Sequence, residues 1–599
     1  APQWSPDGSQ IMFMSGMRGG LNLMGISPEG GFPVLLMEDL SLSGTGSPGS
    51  QKPQWSPDGK WIGYVSSKSG APEIWLWSVA EGRDIRLTNL GARVNALSWS
   101  PDGRRIAFSN DRYGAQDIWT ISVPDGQPQR LTRDSRYEVY PSWSPDGQSI
   151  FYVRMDERWV DHDIFEMPAG GGEPRLIVQD KDFFDYRAGL SFGTPLPSPD
   201  GQTVLFRSLR SGWHNFWVVP RAGGRPRQIA AEAADQTHAR WSPDGRSIAY
   251  ISNTNGTYDL RVVPATGGEP RVVAAPEGMG VIDKPEWSPD GTRISYTMTT
   301  PTQPEDLYVV AVESGRVTRL THSMPAGNLA SQLVVPQKIA YRSPDGLTIN
   351  AYLYAPPNLR AGERVPGILW VHGGPTSQFS DNFEQEVQFF AQRGYALLLP
   401  NVRGSSGYGK KFEDANNGCW GRCDMLDVRA GVEYLKTLPY VDPEKMGITG
   451  TSYGGILSMA AVSFAPGLFQ AAIPISGYGD WVKFHEWNDE LQHTKLLAYE
   501  FGPFPEREDV YRRNSPIYSV KDATTPTLIL HGDQQEIAWR PGQLPVPAGL
   551  DFARALDQHY KIYRYKTYPS GSYYIGGRAN TKQKLTDMLA FFDQFLKDR

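Results

Sequence analysis

The chain has 599 residues with 59 Lys+Arg against 65 Asp+Glu, a formal net charge of −6 at pH 7, and only two cysteines. That length calls for more than one domain with its own core, and the small charge without a basic block argues against a nucleic-acid or anionic-membrane surface. Two cysteines exclude a disulfide framework and a cysteine zinc site, and no apolar run reaches the ~18 residues of a spanning helix, so a soluble chain without a membrane span is expected.

The chain opens at Ala1 and enters a repeat at once. No signal peptide is expected in it, which fits a cytoplasmic protein or an extracytoplasmic one whose signal has been removed. Trp-Ser-Pro-Asp-Gly begins at Trp4, Trp55, Trp99, Trp143, Trp241 and Trp287, and Pro-Ser-Pro-Asp-Gly begins at Pro197. Successive starts lie 51, 44, 44, 54, 44 and 46 residues apart. A period of about 40–50 residues with strand-like content is the signature of a β-propeller. Each phrase leads into an apolar run such as Ile62–Val65 or Ile106–Phe108, then a second run such as Asp117–Thr120, a Gly-rich turn such as Gly223-Gly224, and often a Leu-Thr pair such as Leu131-Thr132. This leaves room for four short strands per unit, so a seven-bladed propeller is predicted over residues 1–330. Ser-Pro-Asp-Gly is turn chemistry: proline presets φ, aspartate caps the local backbone, and glycine takes the position where a side chain would clash. Turn formation is therefore expected of the repeated aspartates rather than calcium binding, and the tryptophans are expected to pack between blades. The units resemble the propeller repeats of the TolB-like and prolyl oligopeptidase families.

From residue 331 to 599 the pattern becomes alternating strands and helices. Strands are predicted at Pro366–Val371, Ala396–Pro400, Met446–Thr449, Ala471–Ile475, Leu528–Leu530 and Tyr563–Thr567. Helices are predicted at Asp424–Leu438, Ile456–Phe464 and Leu585–Leu596, and the alternation predicts a mostly parallel sheet covered on both faces. Between one strand and one helix stands Gly450-Thr451-Ser452-Tyr453-Gly454-Gly455, a G-x-S-x-G phrase in the strand–turn–helix context that a nucleophile elbow requires. Ser452 is the elbow serine, and the amide of Tyr453 with the glycines Gly373 and Gly374 is the expected oxyanion hole.

Three phrases together, His372-Gly373-Gly374-Pro375, Asn401 to Gly409 (NVRGSSGYG) and Gly450 to Gly455, resemble the prolyl oligopeptidase (S9) serine peptidases, nearest to their acylaminoacyl-peptidase and dipeptidyl-peptidase branches. The likeness continues through Tyr511 to Pro516 and His531-Gly532 to the C-terminal helix. It implies an α/β-hydrolase domain behind the propeller, with a peptide or peptide-like substrate in a cavity between the two.

The resemblance also implies a triad aspartate four residues after the His of the His-Gly strand end, and a triad histidine in a phrase like Tyr-Pro-x-Glu-Gly-His-Gly-Phe. Here the aspartate position reads Gln535 and the histidine position reads Tyr573, and no histidine occurs after His559. A serine hydroxyl needs a base to become a nucleophile. Tyrosine, with a pKa near ~10, is protonated at neutral pH and donates rather than accepts. Loss of triad members costs on the order of 10⁴–10⁶ in rate. Candidate substitutes are Glu536 and Asp533 for the acid, and His485, His493 and His372 for the base, each set against an ordinary solvated or packed role. His531 is expected to be structural.

Three functions stay open on sequence: a degenerate peptidase that binds peptides and hydrolyses weakly or not at all, a repurposed enzyme using Ser452 and Tyr573 for elimination, cyclisation or acyl transfer, and a propeller-based interaction scaffold. An active hydrolase with a base from the remodelled stretch 534–550 is a fourth. No cofactor and no metal site are implied, and self-association is left open. Cys419 and Cys423, four apart near a predicted helix start, are read as two ordinary thiols, with a redox or regulatory disulfide as the alternative.

Overall fold

The computed structural model describes residues 2–16, 20–38, 40, 52–155, 162–180, 193–327, 329–487, 492–533, 548–569, 573 and 575–597. The chain forms two compact units, residues 1–300 with 304–323, and residues 301–303 with 324–599.

The first unit is a propeller of seven four-stranded antiparallel units in sequential strand order, the last two joined into one sheet by a single parallel pair, Tyr258 with Val281. All seven Ser-Pro-Asp-Gly turns have the same wiring. In the Ser100 copy the hydroxyl donates to Asp102 Oδ1 (2.6 Å), which also accepts the N–H of Arg104 (3.1 Å), and Gly103 takes φ +68°. The serine bond is the main reason the Asp102 carboxyl lies below its ordinary pKa. Carboxylate oxygens spent on the turn itself bear out turn formation as the work of these aspartates.

The phrase also joins neighbours. A β-carbon on Gly59 would lie 3.9 Å from Pro6 of the preceding blade, one on Gly147 3.7 Å from Pro101, and one on Gly8 3.6 Å from Pro289, which closes the ring. The indole N–H of Trp143 donates to Ser98 O (3.1 Å), that of Trp241 to Leu196 O (3.0 Å) and that of Trp287 to Arg240 O (3.2 Å). Trp4 of the first blade donates to Glu286 O of the seventh (3.1 Å). Each acceptor is the residue just before the equivalent repeat position one blade back. An apolar cluster fills each interface: Trp4, Ile11 and Ile26 of the first blade meet Leu307, Val309 and Leu320 of the seventh. Each blade comes from one contiguous segment, so side chains rather than an exchanged strand close the circle.

The second unit carries an eight-stranded sheet. Its strands are β1 (Gln337–Arg342), β2 (Thr348–Tyr354), β3 (Val365–Val371), β4 (Ala396–Asn401), β5 (Val441–Thr451), β6 (Ala471–Ile475), β7 (Thr527–Gly532) and β8 (Tyr563–Tyr568), in the order β1-β2-β4-β3-β5-β6-β7-β8. β1, β2 and β4 pair antiparallel and the rest are parallel. The central strands are buried on both faces, as continuous apolar runs in a parallel sheet must be. Helices α1 (Asp424–Lys436), α2 (Tyr453–Phe464), α3 (Trp481–Trp487), α4 (Gln492–Phe501), α5 (Ala548–Gln558) and α6 (Arg578–Phe592) follow the sheet. Among the described residues no helix is long and apolar enough to cross a membrane.

If the tryptophan contacts hold the blades in register, Trp143→Phe should lower propeller stability by about 1–2 kcal/mol through the bond lost to Ser98. Trp143→Ala should cost about 3–5 kcal/mol through the cavity. Urea unfolding followed by propeller fluorescence measures both, and a chelator such as EDTA should leave the transition where it was.

Candidate active site

The carboxyl ends of five neighbouring strands form one row. Val371 is in register with Gly450, Thr451 with Ile475, Ile475 with Leu530, and Gly532 with Tyr568. The segments that follow them carry His372-Gly373-Gly374, Ser452, Ser476, Asp533 and, beyond β8, Tyr573.

Ser452 sits at φ 61°, ψ −117°, between β5 and α2, and is partly exposed. Its backbone N–H donates to Ile475 O (2.9 Å), and Ser452 O accepts the first intrahelical bond, from Ile456. The amides of Tyr453, Gly454 and Gly455 therefore have no acceptor within the helix, which makes this N-terminus a ready donor of hydrogen bonds to an oxyanion. The turn is possible because β-carbons on Gly450 and Gly454 would overlap Val371 O and one on Gly455 would lie 2.5 Å from Ile475 O. Gly373 borders the serine: a β-carbon there would be 3.4 Å from Ser452 Cβ and 4.0 Å from its Oγ. Gly374, at φ +139°, turns the chain away behind it.

His372 is buried, its ring edge-on to Phe379. Nε2 lies 2.8 Å from Ser405 Oγ and Nδ1 2.7 Å from Gly373 O. The Gly373 carbonyl can only accept, so in the neutral ring Nδ1 carries the hydrogen and Nε2 accepts from the Ser405 hydroxyl, which also lies 2.5 Å from Val402 O. Both ring nitrogens are thus engaged in shaping the glycine loop. Arg403, from the same NVRGSSGYG phrase, is buried and forks onto Asp427 (2.7 and 3.0 Å) and Asp345 (2.8 and 3.1 Å). It pins the loop and does not face outward.

Tyr573 comes to the site side through its backbone: its carbonyl accepts the Ser476 hydroxyl at 2.6 Å. Ser476 directly follows Ile475, the residue that holds the Ser452 amide. Asp533 is exposed, with its N–H on Tyr568 O (3.1 Å). Gln535 and Glu536 lie outside the described residues, as does the rest of 534–547. His485 stacks on Phe504 (centroids 4.4 Å) with Tyr511 edge-on at 5.8 Å. His493 falls on α4, and its side chain is outside the described set. His531 is 1% exposed and packs against Gly549 of α5, and burial pushes its pKa down to about 3.

Sequence reasoning passed over the groups that hold Tyr453. Its buried hydroxyl donates to Asp424 and accepts from Asn416 Nδ2 (3.1 Å), and Trp420 packs edge-on against its ring (5.3 Å). Burial raises the Asp424 carboxyl to about 7. The expectation of two ordinary thiols is corrected: Cys419 and Cys423 form a disulfide. Their one-turn spacing at the start of α1 brings the Cα atoms to 5.5 Å, within bridging range.

Residues 381–599 match the family model described as the prolyl oligopeptidase family, and residues 45–188 match that of the TolB β-propeller domain. The C-terminal part of the chain is thus similar to the prolyl oligopeptidase family. Within the curated proteins, the chain is 29% identical over 315 residues to the "Uncharacterized peptidase YuxL" of Bacillus subtilis, covering 52% of this chain and 46% of that protein. It is 28% identical over 242 residues to dipeptidyl-peptidase 5 of Porphyromonas gingivalis, covering 38% and 34%. The matches thus span about a third to a half of those relatives' length. In structure it is similar to a puromycin-hydrolyzing peptidase of Mycobacterium tuberculosis, with a TM-score of 0.83 at 21% identity over 99% of this chain and 94% of that one. An acylaminoacyl peptidase in complex with Z-Gly-Gly-Phe-chloromethyl ketone gives 0.75 at 20% identity over 98% and 94%. At these identities the likeness is one of fold: a propeller of four-stranded sheets followed by an α/β-hydrolase domain.

Two buried groups of this domain give opposite pH dependences. Asp424 has a folded pKa raised from 3.8 to about 7, so its contribution to stability is full below about pH 4 and is lost as the pH rises toward 7. His531 is lowered from 6.5 to about 3, so its contribution is full above about pH 6.5 and is lost as the pH falls toward 3. Asp424→Asn should remove the first slope and His531→Gln the second, read as the urea midpoint of the domain against pH. Unchanged slopes in both variants would count against these assignments.

Proposed function

We propose that this protein binds peptides or peptide-like amides at the Ser452 site and that fast, ordinary peptide hydrolysis is not its activity. The observation that carries the proposal is the pairing of an intact elbow with an altered base position. Ser452 keeps the left-handed turn, the Tyr453 amide and the neighbouring Gly373, while the sequence after β8 reads Tyr573 where the family resemblance implies histidine. Tyr573 is a proton donor at neutral pH, and an amide at Gln535 cannot stabilise an imidazolium.

The relatives' printed names, dipeptidyl-peptidase, acylaminoacyl peptidase and puromycin-hydrolyzing peptidase, support a peptide-like substrate class. A site with its oxyanion donors in place still recognises a carbonyl. The engaged nitrogens of His372 and the aromatic seat of His485 speak against either ring as the replacement base.

A fluorophosphonate serine probe with a Ser452→Ala control tests the reading. The expected outcome is labelling much slower than that of an active serine peptidase, and aminoacyl and dipeptidyl p-nitroanilide hydrolysis near background. Tyr573→His combined with Gln535→Asp should then raise hydrolysis by about 10²-fold or more. Rapid Ser452-dependent turnover by the unaltered protein would overturn the proposal.

A further inference from the structure

We propose that the Cys419–Cys423 disulfide is a redox-sensitive clamp on the oxyanion side of the Ser452 site, acting through Trp420 and Asp424 on Tyr453. The proposal rests on the reading of Ser452 and Tyr453 as a carbonyl-binding site and adds a means of regulating it.

The disulfide closes a five-residue loop. Cys419 directly precedes Trp420, and Cys423 directly precedes Asp424. Those two residues grip the Tyr453 side chain, Trp420 through its ring at 5.3 Å and Asp424 through the phenol hydroxyl. Inside the loop the Gly421 N–H donates to the same carboxyl (3.2 Å), and Asn416, just ahead of it, holds the phenol from the other side (3.1 Å). Trp420 is wedged in turn against Trp481 (5.4 Å) and Phe501 (5.2 Å). Tyr453 is 1% exposed, so its ring has no other seat. Its amide stands next to Ser452. The direction of that N–H is set by the same residue whose side chain the loop holds, and a looser loop means a less fixed oxyanion donor.

The bond is placed where it can be opened. Both cysteines are partly exposed and Arg422 between them is exposed. Cys423 precedes the first turn of the 13-residue helix α1, whose N-terminal dipole favours a thiolate. A dithiol reductant would therefore attack Cys419 Sγ and expel Cys423 as the thiolate. Its second thiol then displaces Cys419 from the mixed disulfide, leaving two reduced cysteines and one oxidised dithiol. Two electrons and two protons pass to the protein. In the closed state Cys419 Sγ lies 3.4 Å from Asn416 O, so the S–H gained on reduction has an acceptor within reach.

The test uses the full chain with dithiothreitol as the reductant, and alkylation with mass measurement to show the bond open. Hydrogen exchange of a peptide covering residues 450–460 reads the clamp independently of chemistry. Opening the bond should speed exchange at Ile456 and Leu457 by about tenfold and slow fluorophosphonate labelling of Ser452 by a similar factor. Cys419→Ser with Cys423→Ser should reproduce the reduced state without reductant. Trp420→Ala should behave as reduced even with the bond closed, and Trp420→Phe should restore the oxidised behaviour. Exchange that responds while Ser452 labels at the same slow rate in both states would keep the clamp on α2 and sink its action on the oxyanion donor. Exchange and labelling both unchanged with the bond fully open would overturn the clamp and leave that reading intact.

Discussion

Backbone crowding at the end of β5 governs the second domain. Gly450 and Gly454 lie against Val371 O, and Gly455 against Ile475 O and Gly477, at separations that leave no room for a side chain. The crowding has three consequences. It lets α2 start directly over the junction of β3, β5 and β6, it forces Ser452 into its left-handed turn, and it leaves the first amides of α2 without acceptors in the helix. The hydrogen bond from Ser452 N to Ile475 O fixes that turn to β6. Ser476, the next residue along, then fixes the loop that carries Tyr573. One packing constraint thus sets the Ser452 turn and, through Ser476, the backbone carbonyl of Tyr573.

Around this point the polar groups are spent on rigidity. Asn401 holds Phe379 through both its N–H and its carbonyl and donates to Tyr408. Arg403 ties the loop after β4 to Asp427 on α1 and to Asp345 at the β1–β2 turn. His372 holds Ser405 and the glycine loop. Such a network keeps the glycine loop beside Ser452 fixed.

The propeller solves a different problem with one repeated phrase. Each blade buries only part of its apolar surface alone, so the ring depends on seven similar interfaces. Tryptophan supplies area and an indole donor, and proline and glycine supply a contact between successive turns. An eighth Ser-Pro-Asp-Gly, Ser343 to Gly346, lies outside the ring at the β1–β2 hairpin. There Ser343 Oγ and the Asp345 carboxylate both accept from Arg403. The same four residues close a turn in both places, but the carboxylate is held by the turn's own serine in the ring and by Arg403 in the hairpin.

Much of the architecture could be read from the sequence because it rests on local chemistry. A period of 44 to 54 residues with a turn phrase fixes strand number and blade count, and glycines around Ser452 between an apolar run and a helical one fix the elbow. The parallel strands were legible for the same reason, their burial on both faces writing itself as continuous apolar runs. What the sequence could not carry were contacts between segments far apart in the chain. The Ser476 bond to Tyr573 spans 97 positions and the Trp4 bond to Glu286 spans 282. The Asp424 bond to Tyr453 spans 29 and leaves no trace in spacing. The Cys419–Cys423 bridge is short-range, yet whether four residues place two sulfurs together depends on how the chain enters α1. Residue types and periods are properties of the chain alone. Which carboxylate, hydroxyl or sulfur meets which is decided only when the sheet brings its strand ends into one row.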